Sequence, residues 1–404
     1  MDANRRASPF SIAIVATCLG AVFAGSMLVT PLYPTYQQLF GFSELTLTLV
    51  YSAYVLGNLA TLLFLGQISD IRGRRPVVVI AIGIAIIGTL VFMFARSAAW
   101  LACGRALSGA AVGLASGTAA AWLADLYPRE ARPRVATLAV AANMIGLALG
   151  ALLSGLLSEY APWPLKFSYI VYIALLAFLG LLVRVPPETM KRADGVSSHS
   201  AVALRPGIGV PPQIRSSFFP PAATLFSSMA LLGFYGALIP GILKTDLHQS
   251  SPAVGGAVIF ELTFICALTV YVTRNVGNRR AMLAGLLLLV PCLALLIGAQ
   301  AAKSMPVLIA GTTLAAVATA FSYRGSLQVI NQIAPPDRRG EIVSAYLLCG
   351  FAGNSIPVIG VGVLSKIMSL LHASMVFACV IALLSVAGLI IAKRSDPDLS
   401  AARA

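Results

Sequence analysis

Three ionisable residues stand well inside long apolar runs of this sequence: Arg105, Glu261 and Arg324. Such a side chain at the centre of a membrane helix costs at least ~2.5–3.5 kcal/mol on insertion scales, so each is a candidate for function. Glu261 is the sole acidic residue in the interior of a run, about eight residues or ~12 Å of helical rise from its nearer end. A lone carboxyl shielded from water can alternate between neutral and charged forms as its surroundings change, which is the chemistry of a proton carrier. Arg105 and Arg324 keep their charge and must find backbone carbonyls, a carboxylate or an anionic solute. The plainer alternative for all three is a structural ion pair, or an arginine held by carbonyls.

Tyr33, Tyr54, Asn58, Asn143, Tyr235, Ser322, Tyr323 and Gln328 punctuate the same runs. Together with Arg324 they suit the lining of a cavity for an amphipathic or lipophilic solute; equally, they suit hydrogen bonds between helices. Other chemistries lack their tools. His199, His248 and His372 fall in loops, and no H-E-x-x-H or paired carboxylates occur, which leaves an intramembrane enzyme as a remote alternative. No lysine follows a glycine, so there is no G-K-[ST] phosphate loop to drive an ATP-fuelled pump. Cys18, Cys103, Cys266, Cys292, Cys349 and Cys379 lie in apolar runs without a C-x-x-C pair and read as small packing residues. No metal or cofactor is expected.

The elements that must carry these residues follow from composition. Of 404 residues 58% are hydrophobic and 10% charged, against about a quarter charged in soluble proteins. Pro, Gly and charge cut the chain into twelve segments: 10–33, 45–68, 76–95, 100–124, 135–158, 165–185, 219–243, 253–273, 281–300, 307–332, 341–364 and 373–392. Each matches a bilayer core of ~30 Å, which predicts an all-α membrane protein. A polar stretch rich in Pro, Ser and Arg, 186–218, reads as a cytoplasmic linker between six-helix bundles at 1–185 and 219–404. Arg5 and Arg6 precede a first run too long for a cleaved signal, so it reads as a retained helix.

The net charge of +14 is topological rather than a nucleic-acid footprint. With both termini inside, 21 basic residues fall in cytoplasmic segments and five (Arg96, Lys166, Lys244, Lys303 and Lys366) in outer loops, a strong positive-inside bias. Trp100 and Trp163 stand at outer boundaries as an interfacial belt would. The halves also repeat. A shift of 207 residues lays Ser97–Tyr160 on Ser304–Ile367 without a gap, pairing Gly104 with Gly311, Arg132 with Arg339 and Gly155 with Gly362. Parallel six-helix repeats related by a pseudo-two-fold are how alternating-access carriers are built, with the substrate bound near the midplane between repeats.

Between spans two and three the sequence reads Gly66-Gln-Ile-Ser-Asp70-Ile-Arg72-Gly73-Arg74-Arg75-Pro76. It resembles the G-x-x-x-D-[RK]-x-G-R-[RK] signature of the major facilitator superfamily, in its 12-helix drug:proton antiporter type. The departure is Ile71 after Asp70, with the basic residue one later. The resemblance implies a conformational latch of Gly66, Asp70, Arg72, Gly73, Arg74 and Arg75. The corresponding loop of the second half puts Arg274 where Asp70 would be, so the latch is expected on one side. In span four, Arg105-Ala-Leu-Ser108-Gly109 resembles the R-x-x-Q-G motif of proton-coupled members, and implies a coupling role for Arg105 beside Glu261. Gly109, Gly113 and Gly117 recur every four residues there and predict one smooth packing face. Span five keeps Gly146, Gly150 and Gly155 but lacks the proline of the antiporters. Thr30–Pro34 and Pro186–Thr189 are also similar to the family.

The expectation is a secondary active transporter that moves a small amphipathic or lipophilic solute by proton-coupled efflux. Proton-coupled uptake, or facilitated passage, of a small metabolite such as a sugar or organic acid is the alternative. Its partners would be that substrate, protons and membrane lipid, in a monomer in the cell (inner) membrane.

Overall fold

The computed structural model describes residues 8–66, 68–127, 132–190 and 209–394. Outside these lie Arg5, Arg6, Gln67, Arg129, Lys191, Arg192, Arg205, Arg403 and residues 191–208 of the expected linker, as do the side chains of Arg132 and Arg134. The described residues form helices and no strand. The reason is the solvent: hydrocarbon offers no partner to a backbone N–H or C=O, and a helix satisfies both within itself.

Fourteen α-helices follow in order among the described residues. They are α1 (Pro9–Met27), α2 (Tyr33–Phe40), α3 (Glu44–Leu65), α4 (Ile68–Arg72), α5 (Arg74–Met93), α6 (Ala98–Leu126) and α7 (Arg132–Tyr160). Then come α8 (Phe167–Leu182), α9 (Arg215–Thr245), α10 (Pro252–Val272), α11 (Asn278–Ala301), α12 (Met305–Ile333), α13 (Arg339–Leu364) and α14 (Leu370–Arg394). Eleven spans are long and apolar enough to cross a membrane, with α1 and α2 counted as one, and α8 is a shorter apolar helix of 16 residues. The twelve expected segments are therefore all helical.

Their ends are set by local chemistry. Ser8 accepts a hydrogen bond from the Phe10 N–H at 3.2 Å and Pro9 opens α1, a favoured N-terminal pair. The first span runs past its expected end at Tyr33 because Pro31 and Pro34 do not stop the chain: Thr30–Leu32 tightens into a 3-10 turn, and the helix resumes to Phe40. The span α8 ends before 185, since Pro186 disfavours helical geometry in the residue ahead of it.

The helices gather into two compact units. The first contains α1, α2, α4 to α8, most of α3 and the first turns of α10; the second contains the rest. Within the first unit α6 packs closely on α3. A Cβ at Gly109 or Gly113 would collide with the α3 backbone at Tyr54 and Asn58 or with the Thr61 hydroxyl, whereas nothing lies within 4 Å of Gly117. The expected glycine face is thus two residues long at this contact, not three.

This asymmetry is measurable. Gly113→Leu overpacks the α3–α6 contact and should cost roughly 1–3 kcal/mol, seen as a lower melting temperature of the purified protein. Gly117→Leu should melt like the wild type; equal losses at both positions would contradict the packing.

Candidate functional site

The signature loop folds as a knot around Arg74. Its guanidinium meets Asp70 at 2.6 Å, one helical turn away, and Asp125 at the end of α6 at 3.2 Å, and donates to Ser69 Oγ at 2.7 Å. Arg74 is largely buried while Asp70 stays half exposed. The loop turns at Gly73, whose φ of +96° is a backbone conformation that side chains resist. Gly66 packs at the preceding turn of α3, and Arg72 is exposed. The displaced basic residue at Arg72 therefore leaves Asp70 with Arg74 as its ion-pair partner.

A residue outside the signature completes the knot. Glu188 accepts hydrogen bonds from the N–H groups of Arg74 (3.0 Å) and Arg75 (2.9 Å), capping α5 from the strap that follows α8. The strap is fastened elsewhere too. Arg75 donates to the Pro186 carbonyl, Trp122 Nε1 to the Pro187 carbonyl at 3.0 Å, and Thr189 Oγ1 to Asp125 at 3.0 Å. Burial acts to raise the Glu188 carboxyl, but N–H groups of Arg75, Arg74, Met190 and Thr189 outweigh it and hold the pKa below the usual glutamate range. The Pro-Pro-Glu-Thr sequence was legible as similar to the family; its role as a cap was not, because the partners lie more than a hundred residues away.

Arg105 sits at the heart of the first unit, 1% exposed. It donates to the Ser26 carbonyl of α1, and its guanidinium carbon lies 4.9 Å and 4.8 Å from the ring centroids of Tyr51 and Tyr54. Tyr54 is hydrogen-bonded to the side chains of Ser26 and Asn58. Among the described residues Arg105 has no salt bridge, and its Nε, the Tyr33 hydroxyl and the Asn58 Oδ1 are buried without hydrogen-bond partners. Tyr33, Tyr54, Asn58 and Arg105 are thus brought into one buried polar group. Asn143, on α7, has a buried, unpartnered Oδ1 of its own.

The second unit holds the other candidates. Glu261, in the middle of α10, accepts a hydrogen bond from Thr313 Oγ1 of α12 at 2.7 Å and has no salt bridge among the described residues. Beside Thr313, Thr312 commits its proton to the Leu308 carbonyl at 2.8 Å, so Tyr235 of α9 donates to Thr312 Oγ1 at 3.1 Å. Arg324 lies away from this group, its guanidinium donating to the carbonyls of Arg274 (3.1 Å) and Val276 (2.7 Å) in the α10–α11 loop. Its observed work is to brace a loop, the carbonyl-held alternative for an arginine in a span. Tyr323 packs beside the apolar cluster of Leu225, Ile330, Ile342 and Tyr346, and Gln328 is exposed.

Apolar spanning helices, with interior charges confined to one buried arginine, one carboxylate and one loop-bracing arginine, mark a multi-pass membrane protein. The Major Facilitator Superfamily model matches residues 15–220 and 221–404, and the chain belongs to that superfamily. It is 27% identical over 178 residues to the MFS-type transporter Rv1877 of Mycobacterium tuberculosis, covering 44% of this chain and 26% of that one. It is 30% identical over 134 residues to the multidrug resistance protein MdtL of Klebsiella pneumoniae, covering 33% and 34%. The aligned stretches thus span a quarter to a third of these relatives' own lengths. Among solved structures, a bacterial homologue of the human lysosomal transporter Spinster superposes with a TM-score of 0.72 at 16% identity, over 95% of this chain and 96% of that one.

A carboxyl whose folded pKa lies below its unfolded value adds stability above the unfolded pKa, and loses it as pH falls through the folded one. The cap by Glu188 should therefore be fully present at neutral pH, and should fade only below the ordinary glutamate value of ~4.3. Glu188→Gln should remove that acid-limb contribution, at or below the ~1 kcal/mol of an ordinary cap since the group is mostly exposed; thermal melts from pH 7 to 3 would show it. At Arg105, lysine keeps the charge but loses the planar fork that reaches Ser26 while lying over two rings. Arg105→Lys should cut transport at least tenfold with protein levels unchanged, and an unimpaired rate would show that charge alone suffices.

Proposed function

We propose that this chain is a proton-driven secondary exporter of a small, amphipathic or lipophilic solute, working by alternating access in the cell's inner membrane with both termini cytoplasmic. The observation that carries the reading is Glu261. It is the one acidic residue in the interior of a span, and its observed partner is a neutral hydroxyl, so it is free to take up and release a proton without breaking an ion pair. Arg105 and the tyrosines around it are the cationic and aromatic half of the machinery. Tyr33, Tyr54, Asn58, Asn143, Tyr235, Tyr323 and Gln328 are proposed to meet the solute. The Asp70–Arg74 knot is proposed as the latch, and bundles 1–185 and 219–404 as the moving parts, joined by the 186–218 linker. Export is favoured over uptake by the partial likeness to a protein named for multidrug resistance.

The test is transport by the purified chain in proteoliposomes, with an imposed pH gradient and a panel of lipophilic cations, sugars and organic acids. Glu261→Gln, a permanent mimic of the protonated form, should abolish gradient-driven movement while leaving energy-independent exchange measurable. If the variant still moves solute uphill with wild-type proton dependence, coupling rests on another group.

A further inference from the structure

The first unit carries an apolar groove that the transport reading leaves unused. It runs between α1, α7 and α8 and encloses about 370 Å³, within the ~300–1,000 Å³ of small-molecule sites. Its floor forms where Gly20 and Ala24 of α1 meet Gly146 and Gly150 of α7, backbone against backbone. Its walls are exposed aliphatic side chains, notably Leu149 on α7 and Val171 on α8. Along α7 from Ala142 to Leu157 the groove follows about 22 Å of helix, most of a hydrocarbon core of ~30 Å. The glycines draw α7 onto α1, while the short α8 packs chiefly on α5 and leaves the channel open.

The polar atoms at the groove are few. Ser154 donates to the Leu28 carbonyl and Tyr172 to the Ala21 carbonyl, so both hydroxyls are engaged. Ser168 is different: it lines the groove near the start of α8, is 2% exposed, and its hydroxyl has no hydrogen-bond partner. Two residues before it, exposed Lys166 stands at the N-cap of α8, and exposed Trp163 precedes that. Lys166 is one of five basic residues on the outer side of the expected topology, where the positive-inside rule does not ask for a cation.

We propose that this groove is a phospholipid site. One acyl chain lies along α1, α7 and α8, an ester oxygen accepts the Ser168 hydroxyl, and Lys166 pairs with the phosphate of an anionic headgroup. The open walls lie within membrane spans, so hydrocarbon is what stands against them. The groove suits a single chain in length, and its polar contacts cluster at one end, at headgroup level beside an interfacial tryptophan. The site is independent of the direction and coupling of transport.

Native mass spectrometry tests it, on the full chain released from micelles holding equal phosphatidylglycerol and phosphatidylcholine. One phosphatidylglycerol per protein should be retained in preference to phosphatidylcholine. Lys166→Gln, a surface change, should lower apparent phosphatidylglycerol affinity about tenfold and bring the two lipids level. Leu149→Trp, filling the groove from an exposed wall, should remove the bound lipid; Val171→Trp repeats the block from the opposite wall if the first variant melts early. Undiminished lipid in the folded blocked variant, or unchanged headgroup preference in Lys166→Gln, overturns the proposal. Glycerol 3-phosphate and inorganic phosphate should not displace the lipid. Displacement by either, or by a lipophilic cation such as ethidium, would assign the groove to that ligand instead and overturn it as well.

Discussion

A bilayer interior withholds water from every polar group, and the architecture here follows from that one constraint. Backbone N–H and C=O groups close on themselves in helices, and a side chain that stays charged has to be solvated by protein. Arg105 shows what this demands. It is held by a carbonyl of α1 and by the faces of two α3 tyrosines, an arrangement in which ring quadrupoles stand in part for water. Those tyrosines are within reach because α3 and α6 touch at Gly109 and Gly113, where any side chain would push the helices apart. Small residues thus do electrostatic work at one remove: by permitting contact, they bring aromatic faces to a cation.

The repeat shows the same frame carrying different chemistry. The 207-residue register that pairs Gly104 with Gly311 pairs Arg105 with Thr312. Each residue bridges the equivalent helices of its own unit, Arg105 reaching from α6 to α1 and Thr312 from α12 to Tyr235 on α9. One bridge is charged and one neutral. The loops diverge in a parallel way. Gly73 turns at φ +96° beside an acid–base knot, while Gly277 caps α11 at an ordinary φ of −56° and the carbonyls nearby accept from Arg324. The charges within spans therefore differ between the halves: Arg105 in the first, Glu261 and Arg324 in the second.

Away from the hydrocarbon, the rules relax and the charges concentrate. Asp70, Arg74, Asp125 and Glu188 share one small volume at the end of α3, α5, α6 and the strap after α8. There the carboxylates lie near backbone N–H groups and a guanidinium, and water remains available to screen what they leave unpaired.

The sequence by itself determined the helices, the membrane environment, the repeat and the family. All four rest on properties that add up along the chain: hydropathy, spacing of prolines and glycines, and a contiguous loop signature. It also singled out Arg105 and Glu261, because a charge within an apolar run is visible without any knowledge of neighbours. Tertiary structure decided what those charges touch. That Arg105 is held by Ser26 and two tyrosines, that Arg324 braces the α10–α11 loop, and that Glu188 caps α5 depend on partners roughly 50 to 114 residues distant. Which helix faces meet is fixed by packing rather than by periodicity, so Gly109 and Gly113 could be read as a contact face while Gly117, identical in spacing, falls outside it.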